Sequence, residues 1–479
     1  MRAGHLCRIA EASALENVRY GVQRQWLWPL RQLDRFPSRY VHETNDVNRR
    51  SRHRRHLRPA VMIRPYHPSW ALLAATVTLG CAATTTTTPG TSASTHPGGP
   101  QPGPHWELRS PTAAKIAILR DTVRAVLDRA RADTAFPGAY AVVGNRDSVL
   151  VAYGVGSLDW LPSPRPDENT LWDMASLTKV VGMTSAMMQL TETGKVDLDA
   201  PVQRYIAEFR GPNKDRVTVR HLLTHSSGLP AWRPLYKETT TPDAARALAV
   251  ATALDTLPGV RMVYSDLGAI ILGQIVERVS GEPLDGYLAR HVFGPLGMTS
   301  TQYRPGPGLL PRIAPTEYDP WRQRQLRGEV HDENAFSLGG VSGHAGLFST
   351  GHDVARLTRM YLNGGTLDGV RFVRSETIRQ FTTVQDSMFS NRALGWETPS
   401  GSNSAGRLMK RPAFGHTGFT GTSIWIDPSR DLFIVLLTNR VNPTRQNLRI
   451  GGVRTALADA VVRVMDQGTA TSSPTSPPR

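Results

Sequence analysis

Ser176 and Lys179 stand three residues apart in the run Met174-Ala-Ser-Leu-Thr-Lys179. On a helix, residues at that spacing share a face, so a hydroxyl and an amine would lie side by side. A serine hydroxyl is a poor nucleophile at neutral pH and needs an adjacent base. A lysine desolvated in a cleft can shed its proton and act as that base. The residues that follow are apolar on nearly every side: Val180, Val181, Met183, Met187, Met188 and Leu190. The pattern predicts that 174–179 opens a buried helix running to about 190, with Gly194 as its stop. The helix start would favour developing negative charge. Taken alone, the pair could equally be an exposed helix start with a serine cap and a solvated lysine. Partners elsewhere have to decide.

Two other places offer such partners. Tyr264-Ser265-Asp266 precedes a helical pattern that starts at Gly268. A tyrosine hydroxyl beside a cation ionises more easily and can shuttle a proton. Gly415-His416-Thr417-Gly418 lies just ahead of a strand pattern at 422–426. It combines hydrogen-bonding side chains with backbone that a substrate can approach closely.

Ser-x-x-Lys, then Tyr-Ser-Asp, then His-Thr-Gly, in that order, resembles the serine β-lactamase and penicillin-binding protein superfamily. The branch it is most similar to holds class C β-lactamase-like proteins, D-alanyl-D-alanine carboxypeptidases and esterases. Pro137-Gly138, Leu-Leu-Thr-His-Ser-Ser-Gly-Leu at 222–229 and Gly-Gly-Val-Ser-Gly-His-Ala-Gly-Leu at 339–347 also resemble that branch. The resemblance runs from about 113 to 465. It implies that Ser176 is the acylated nucleophile, that Lys179 assists its deprotonation and that Tyr264 takes and returns the proton. It implies that His416 orients a substrate carboxylate or helps Tyr264, with Thr417, Gly418 and Asp266 lining the substrate. The backbone amides of Ser176 and Phe419 would form the oxyanion hole, each such donor being worth roughly 3–4 kcal/mol in the transition state. No cofactor and no metal are implied. The expected substrate is a small molecule or a peptidoglycan-type peptide, cleaved at an amide or ester bond through an acyl-enzyme. A class C-type β-lactamase or a slow penicillin-binding sensor is the alternative.

Two departures bear on the substrate. Asp266 stands where many β-lactamases have Asn, and an ionised carboxylate cannot donate to a substrate amide. His416 stands where many relatives have Lys, which weakens the fixed positive charge. Both point away from efficient β-lactam hydrolysis and toward a peptidase or esterase.

Other residues read more plainly. His221 and His225 stand four apart, but no Glu follows the first, so the metalloprotease pattern is absent. His225 is expected to be structural. His331-Asp332-Glu333-Asn334 could ligate a metal, and a loop-locking hydrogen-bond network is the preferred reading. His344, among glycines, is expected to maintain the fold. Trp396 is either cleft wall or core.

These groups need elements to hold them. Apolar spacing predicts a helix over 112–132. A hairpin follows at 139–143 and 148–153, turning at Gly144-Asn145-Arg146-Asp147. The stretch from 154 to 176 reads as loop, and 219–292 as mainly helical, with 268–279 clearest and 283–290 weaker. Another helix is expected at 354–362, strands at 422–426 and 432–437, and a last helix at 450–464. The expected fold is α/β in the α+β sense, β-lactamase/transpeptidase-like. Strands from both ends would join one antiparallel sheet flanked by helices, beside a mostly helical subdomain. The cleft between the two parts would host the site, shaped by loops near 156–172, 230–245 and 303–335.

The net charge of +16 over 479 residues raises a nucleic-acid reading. Residues 1–61 hold 13 Arg and 5 acids, so half of that charge sits there. The rest is spread thinly, and no nucleic-acid partner is expected. The basic segment 1–61 is expected to be missing from the mature protein. Met62 to Cys81 looks like a signal peptide: one Arg, an apolar stretch too short to span a bilayer, and a small residue before Cys81. Its end, Thr-Leu-Gly-Cys, resembles a bacterial lipobox, which implies a lipid on Cys81 and a membrane anchor; an ordinary cleaved signal is the competing reading. Either way the chain is expected in the cell envelope. Residues 82–111 are a Thr/Pro/Gly-rich tether, 112–466 the hydrolase domain and 467–479 a loose tail. With Cys7 and Cys81 as the two cysteines, no disulfide framework is possible.

Overall fold

Five strands with helices on both faces carry the core of the computed structural model, which describes residues 111–388 and 390–467. The expectations for 1–110, including the signal-like stretch and Cys81, and those for 468–479 lie outside the described residues.

Helix α1 (Ala113–Ala132) starts at Thr112, whose Oγ1 accepts the Lys115 amide at 3.3 Å. Strands β1 (Gly138–Gly144) and β2 (Val149–Gly156) form the expected hairpin, with β2 running three residues further than its pattern suggested. The turn closes on Asn145, whose Oδ1 accepts the amides of Asp147 and Ser148 at 3.1 and 2.9 Å. Then come α2 (Thr184–Glu192), α3 (Asp266–Ser280) and α4 (Gly351–Leu362). The chain ends with β3 (Phe414–Thr417), β4 (Ser423–Asp427), β5 (Leu432–Thr438) and α5 (Ile450–Asp466).

The sheet order is β3-β4-β5-β1-β2, antiparallel throughout. The N-terminal hairpin thus zips onto the C-terminal strands, with Ala141 opposite Leu436. Side chains alternate across a strand. Ala141, Val143, Ile434 and Leu436 therefore share one core with α1 and α5, among whose residues are Val123, Leu127, Leu457 and Val461. Tyr140, Val142, Val435 and Leu437 join the opposite core, which contains Met187 of α2, Ile271 of α3 and Leu357 of α4. Burial on both faces explains why β1 and β5 read as unbroken apolar runs.

Three local features departed from the pattern reading. The helix expected from 174 is not regular. Ser176 lies on a 3-10 turn, Ala175–Leu177; a wide π turn, Lys179–Met183, follows; and α2 begins only at Thr184. The cause lies just upstream: Ala175 has φ of +46°, and its amide donates to Asp173 Oδ1 at 2.8 Å. Next, His416 and Thr417 are themselves strand residues, His416 pairing with Ile424. Finally, Trp172–Asp173 is a short strand within the expected loop, paired with Leu347–Ser349. Two-residue strands carry no readable period.

Candidate active site

Ser176 is half-buried between buried neighbours. Lys179 is 1% exposed, and its Nζ donates to Ser176 Oγ at 3.0 Å and to the His344 carbonyl at 3.0 Å. Asp266 Oδ1 lies 2.7 Å from the same Nζ. That contact is an ion pair without an aligned hydrogen bond. Burial alone would push the lysine pKa down, but the Asp266 carboxylate and the Tyr264 oxygen outweigh it, and the net shift is upward from 10.5. Lys179 is therefore an ammonium. The sequence reading had expected a desolvated amine free to lose its proton; the carboxylate two residues after Tyr264 is what keeps the proton in place.

Tyr264 comes to the same spot from the start of α3. Ser265 caps that helix, its Oγ accepting the Gly268 amide at 3.3 Å and donating to the Pro230 carbonyl at 2.7 Å. The Lys179 ammonium lies 5.0 Å from the centre of the phenol ring. Tyr264 Oη is buried and makes no aligned hydrogen bond among the described residues. His225, itself at φ of +57°, packs 4.5 Å from that ring, and its Nδ1 accepts the Ser265 amide at 3.1 Å. It acts structurally, as the sequence suggested, and it does so by holding the residue next to Tyr264.

His416 arrives from the edge strand β3, its ring 5.8 Å from that of Tyr264. Burial, then the charges of Arg392 and Lys179, push its pKa well below 6.5, so the imidazole is neutral. A carbonyl only accepts, so Nδ1–H donates to the Thr417 carbonyl at 2.9 Å. Nε2 is then a bare acceptor, buried and without a partner among the described residues. A neutral His416 cannot serve as the fixed cation for a substrate carboxylate.

The turn after β3 is pressed against the nucleophile. Thr420 Oγ1 donates to the Asp173 carbonyl at 2.7 Å, and Thr422 Oγ1 to the Met174 carbonyl at 3.2 Å. A Cβ on Gly418 would come within 2.1 Å of Thr422 Oγ1 and 2.5 Å of the Met174 oxygen. Only glycine fits there. From behind, half-buried Arg454 Nη2 donates to the carbonyls of Gly418 and Thr422 at 2.7 and 2.8 Å, and Arg440 Nε to that of Phe419 at 2.9 Å. With these carbonyls turned toward the arginines, the turn is fixed beside Ser176. His331 stacks on the Phe419 ring at 5.5 Å. Its amide donates to Asp173 Oδ2 at 2.6 Å and its Nε2 meets Glu317 at 2.8 Å. Asp332 caps Ala335 and meets His344 Nε2 at 2.9 Å, while Asn334 binds the Arg233 carbonyl at 2.8 Å. This is the loop-locking network read from the sequence.

The beta-lactamase family profile matches residues 123–457 of the chain. The chain belongs to the beta-lactamase family. A protein of Escherichia coli (strain K12) named "Putative D-alanyl-D-alanine carboxypeptidase" is 38% identical over 304 residues, covering 57% of this chain and 69% of its own length. A penicillin-binding protein homologue from Caulobacter crescentus superposes with a TM-score of 0.60 at 21% identity, over 72% of this chain and 97% of its own. A family VIII carboxylesterase gives 0.58 at 23% identity, over 74% and 99%. The two structural likenesses show a shared fold.

Within this beta-lactamase family member, a serine hydrolase, the described residues bring Ser176, Lys179, Tyr264, Asp266, His416 and the turn 417–419 together. Trp396 is core, fully buried edge-on to Tyr361 and Phe414. Sequence reasoning missed Asp173, Arg392, Arg440 and Arg454. The arginines stand among fifty in the chain with no local motif to mark them. Thr420 and Thr422, so near the His-Thr-Gly run, were the readable signal for the turn.

Proposed function

We propose that the chain is a cell-envelope acyl hydrolase that cleaves D-alanyl-D-alanine-type peptides or related esters through an acyl-enzyme on Ser176. The observation that carries it is the 3.0 Å hydrogen bond from the Lys179 ammonium to Ser176 Oγ, beside a Tyr264 hydroxyl that makes no aligned hydrogen bond among the described residues. In this reading Tyr264 relays the proton: as Oγ bonds to the acyl carbon the tyrosine oxygen takes the serine proton and gives its own to the leaving group, whose bond to the acyl carbon breaks. The ammonium stabilises the emerging alkoxide, and the amides of Ser176 and Phe419 receive the oxyanion. Water then repeats the sequence to release the acid.

Two features support a peptidase or esterase over a β-lactamase. Asp266 is engaged with Lys179 and has no N–H to give a substrate amide. The curated relative carries a carboxypeptidase name. The test is labelling of purified protein by a fluorescent penicillin and, separately, a fluorophosphonate, with Ser176→Ala as control. Both labels are expected to vanish in the variant; surviving label removes the nucleophile. Turnover of a D-Ala-D-Ala peptide against a short-chain ester then ranks the substrates. Envelope anchoring rests on the lipobox-like end at Cys81. Intact-mass analysis of membrane-extracted protein is expected to show a diacylglyceryl group there; an unmodified cytosolic product would refute it.

A further inference from the structure

We propose that Arg454 is a positioning residue of the oxyanion hole: by gripping the Gly418 carbonyl from behind, it aims and polarises the Phe419 N–H of the same peptide unit. The inference rests on the acyl-enzyme reading above and names what orients one of the two oxyanion donors in it.

A peptide unit is planar and, when trans, points the carbonyl of one residue and the N–H of the next to opposite sides. The cis bonds among the described residues, Arg411-Pro412 and Asn442-Pro443, lie elsewhere. The Gly418 carbonyl and the Phe419 N–H are therefore the two ends of one rigid plate. Arg454, on α5, holds the carbonyl end: Nη2 donates to Gly418 at 2.7 Å and to the Thr422 carbonyl at 2.8 Å. The Gly421 amide donates to the same Gly418 carbonyl at 3.1 Å, and the Gly418 amide to the Thr422 carbonyl at 2.7 Å. The plate cannot swivel without breaking these bonds together. On the other side of the turn lies the nucleophile segment. A Cβ on Gly418 would stand 2.5 Å from the Met174 oxygen and 3.5 Å from the Ala175 Cβ, and Thr420 Oγ1 reaches the Asp173 carbonyl at 2.7 Å. With its carbonyl turned to α5, the plate presents its N–H on the Ser176 side.

Arg440 serves as a contrast. Its Nε bonds the Phe419 carbonyl at 2.9 Å, which belongs to the next peptide unit, the one carrying the Thr420 N–H. Of the two arginines, Arg454 is the one bonded to the peptide of the oxyanion donor. A cation is costly at that position: burial first and then the Arg440 charge act against its protonation, and Glu397 offsets them only in part. A neutral donor would satisfy the same carbonyls at less cost. The charge has a use beyond holding the turn. A charged donor draws electrons toward the carbonyl oxygen and leaves the N–H at the far end a stronger donor. As Ser176 Oγ bonds to the acyl carbon, the carbonyl electron pair moves onto its oxygen. That oxyanion gains more from the N–H than the ground-state carbonyl does.

The test compares wild type, Arg454→Lys, Arg454→Met and a control, Val453→Ala, in the full chain. Val453 neighbours Arg454 on α5 and is buried in the core beneath the sheet, so its truncation lowers stability without touching the turn carbonyls. Each protein is labelled at Ser176 with a fluorophosphonate and with its P=S analogue, and unfolding in urea is followed alongside. Sulfur is a weaker acceptor than oxygen, so a working hole favours the P=O reagent. Removing an oxyanion donor outright costs roughly 10²- to 10³-fold, and removing its support should cost less, so the P=O over P=S preference is expected to shrink about tenfold in Arg454→Met. Arg454→Lys, which keeps a cation, should recover part of the preference, and Val453→Ala should keep all of it. A folded Arg454→Met with the wild-type preference overturns the inference. So does slower labelling by both reagents alike, or an equal shift in Val453→Ala, since either would make the arginine merely structural. A lysine variant no better than the methionine one overturns the part played by charge. If Arg454→Met does not fold, Arg454→Gln is read by the same ratio. A wild type without Ser176-dependent labelling overturns the hydrolase reading itself, whereas normal labelling with an unmoved ratio overturns only the role of Arg454.

Discussion

The Lys179 ammonium and the Asp266 carboxylate meet at 2.7 Å, with the lysine sealed and the aspartate side chain 19% exposed. The pair joins the nucleophile segment to the start of α3, so it locks Ser176 and Tyr264 into one geometry. It also sets the protonation state of the lysine, which is raised above its ordinary 10.5. A base whose folded pKa is raised adds stability at every pH below its unfolded value. That stability is lost only as pH climbs beyond 10.5 through the folded value.

Asp266→Asn leaves a buried ammonium without its counter-charge. Breaking such a pair costs roughly 3–5 kcal/mol, and the retained carboxamide oxygen should put this variant at the low end. Urea unfolding at neutral pH measures the loss. The gap between variant and wild type should shrink as the solution is taken above 10.5; a gap that widens there would contradict the assignment.

Tyr264→Phe separates chemistry from folding. Its hydroxyl oxygen is buried, makes no aligned hydrogen bond among the described residues and helps hold the Lys179 ammonium charged, so removing it gives up one electrostatic contact. Stability is expected to fall by no more than about 1 kcal/mol. The proton carrier is gone, and turnover should fall by roughly 10²- to 10⁴-fold. Steady-state kinetics beside thermal unfolding tests both halves. A variant that keeps its turnover would remove Tyr264 from the proton path.

The contrast between what the sequence displayed and what it concealed follows from how each group is held. Ser176, Lys179, Tyr264 and His416 are marked by local spacing, and the antiparallel sheet by apolar runs such as Leu432–Thr438. The charge states were hidden, because they depend on contacts across long stretches of chain. Lys179 meets Asp266 from 87 residues away, and Arg392 reaches the Tyr264 ring from still further along the chain. The 3-10 turn under Ser176 was hidden too. It depends on one carboxylate, Asp173, capturing the Ala175 amide at 2.8 Å, an event that leaves no periodic trace.

Acid should weaken this protein through its buried imidazoles. His225 and His416 are held neutral in the fold, with pKa values well below 6.5. The unfolded chain therefore binds protons near 6.5 that the folded chain refuses, and stability falls as pH drops from 6.5 toward the folded values. His416→Asn removes one of the two sites. Chemical denaturation across that range is expected to show a shallower fall for the variant than for wild type. Equal slopes would mean that His416 titrates alike in both states.

Gly418→Ala tests whether the turn must touch the nucleophile segment. The added methyl would lie 2.1 Å from Thr422 Oγ1 and 2.5 Å from the Met174 carbonyl. Neither can step aside easily, since Thr422 Oγ1 already donates to that same carbonyl at 3.2 Å and the Gly418 carbonyl is tied to Arg454 at 2.7 Å. Overpacking of this kind costs about 1–3 kcal/mol. The catalytic loss should be larger in proportion, because relief requires the turn to back away from Ser176, and a shift near ~1 Å at a reacting group can cost about 10²-fold. The rate of fluorophosphonate labelling at Ser176, set against urea unfolding of the same variant, reads the two effects separately. Labelling at the wild-type rate would show that the oxyanion side of the site does not depend on this close approach.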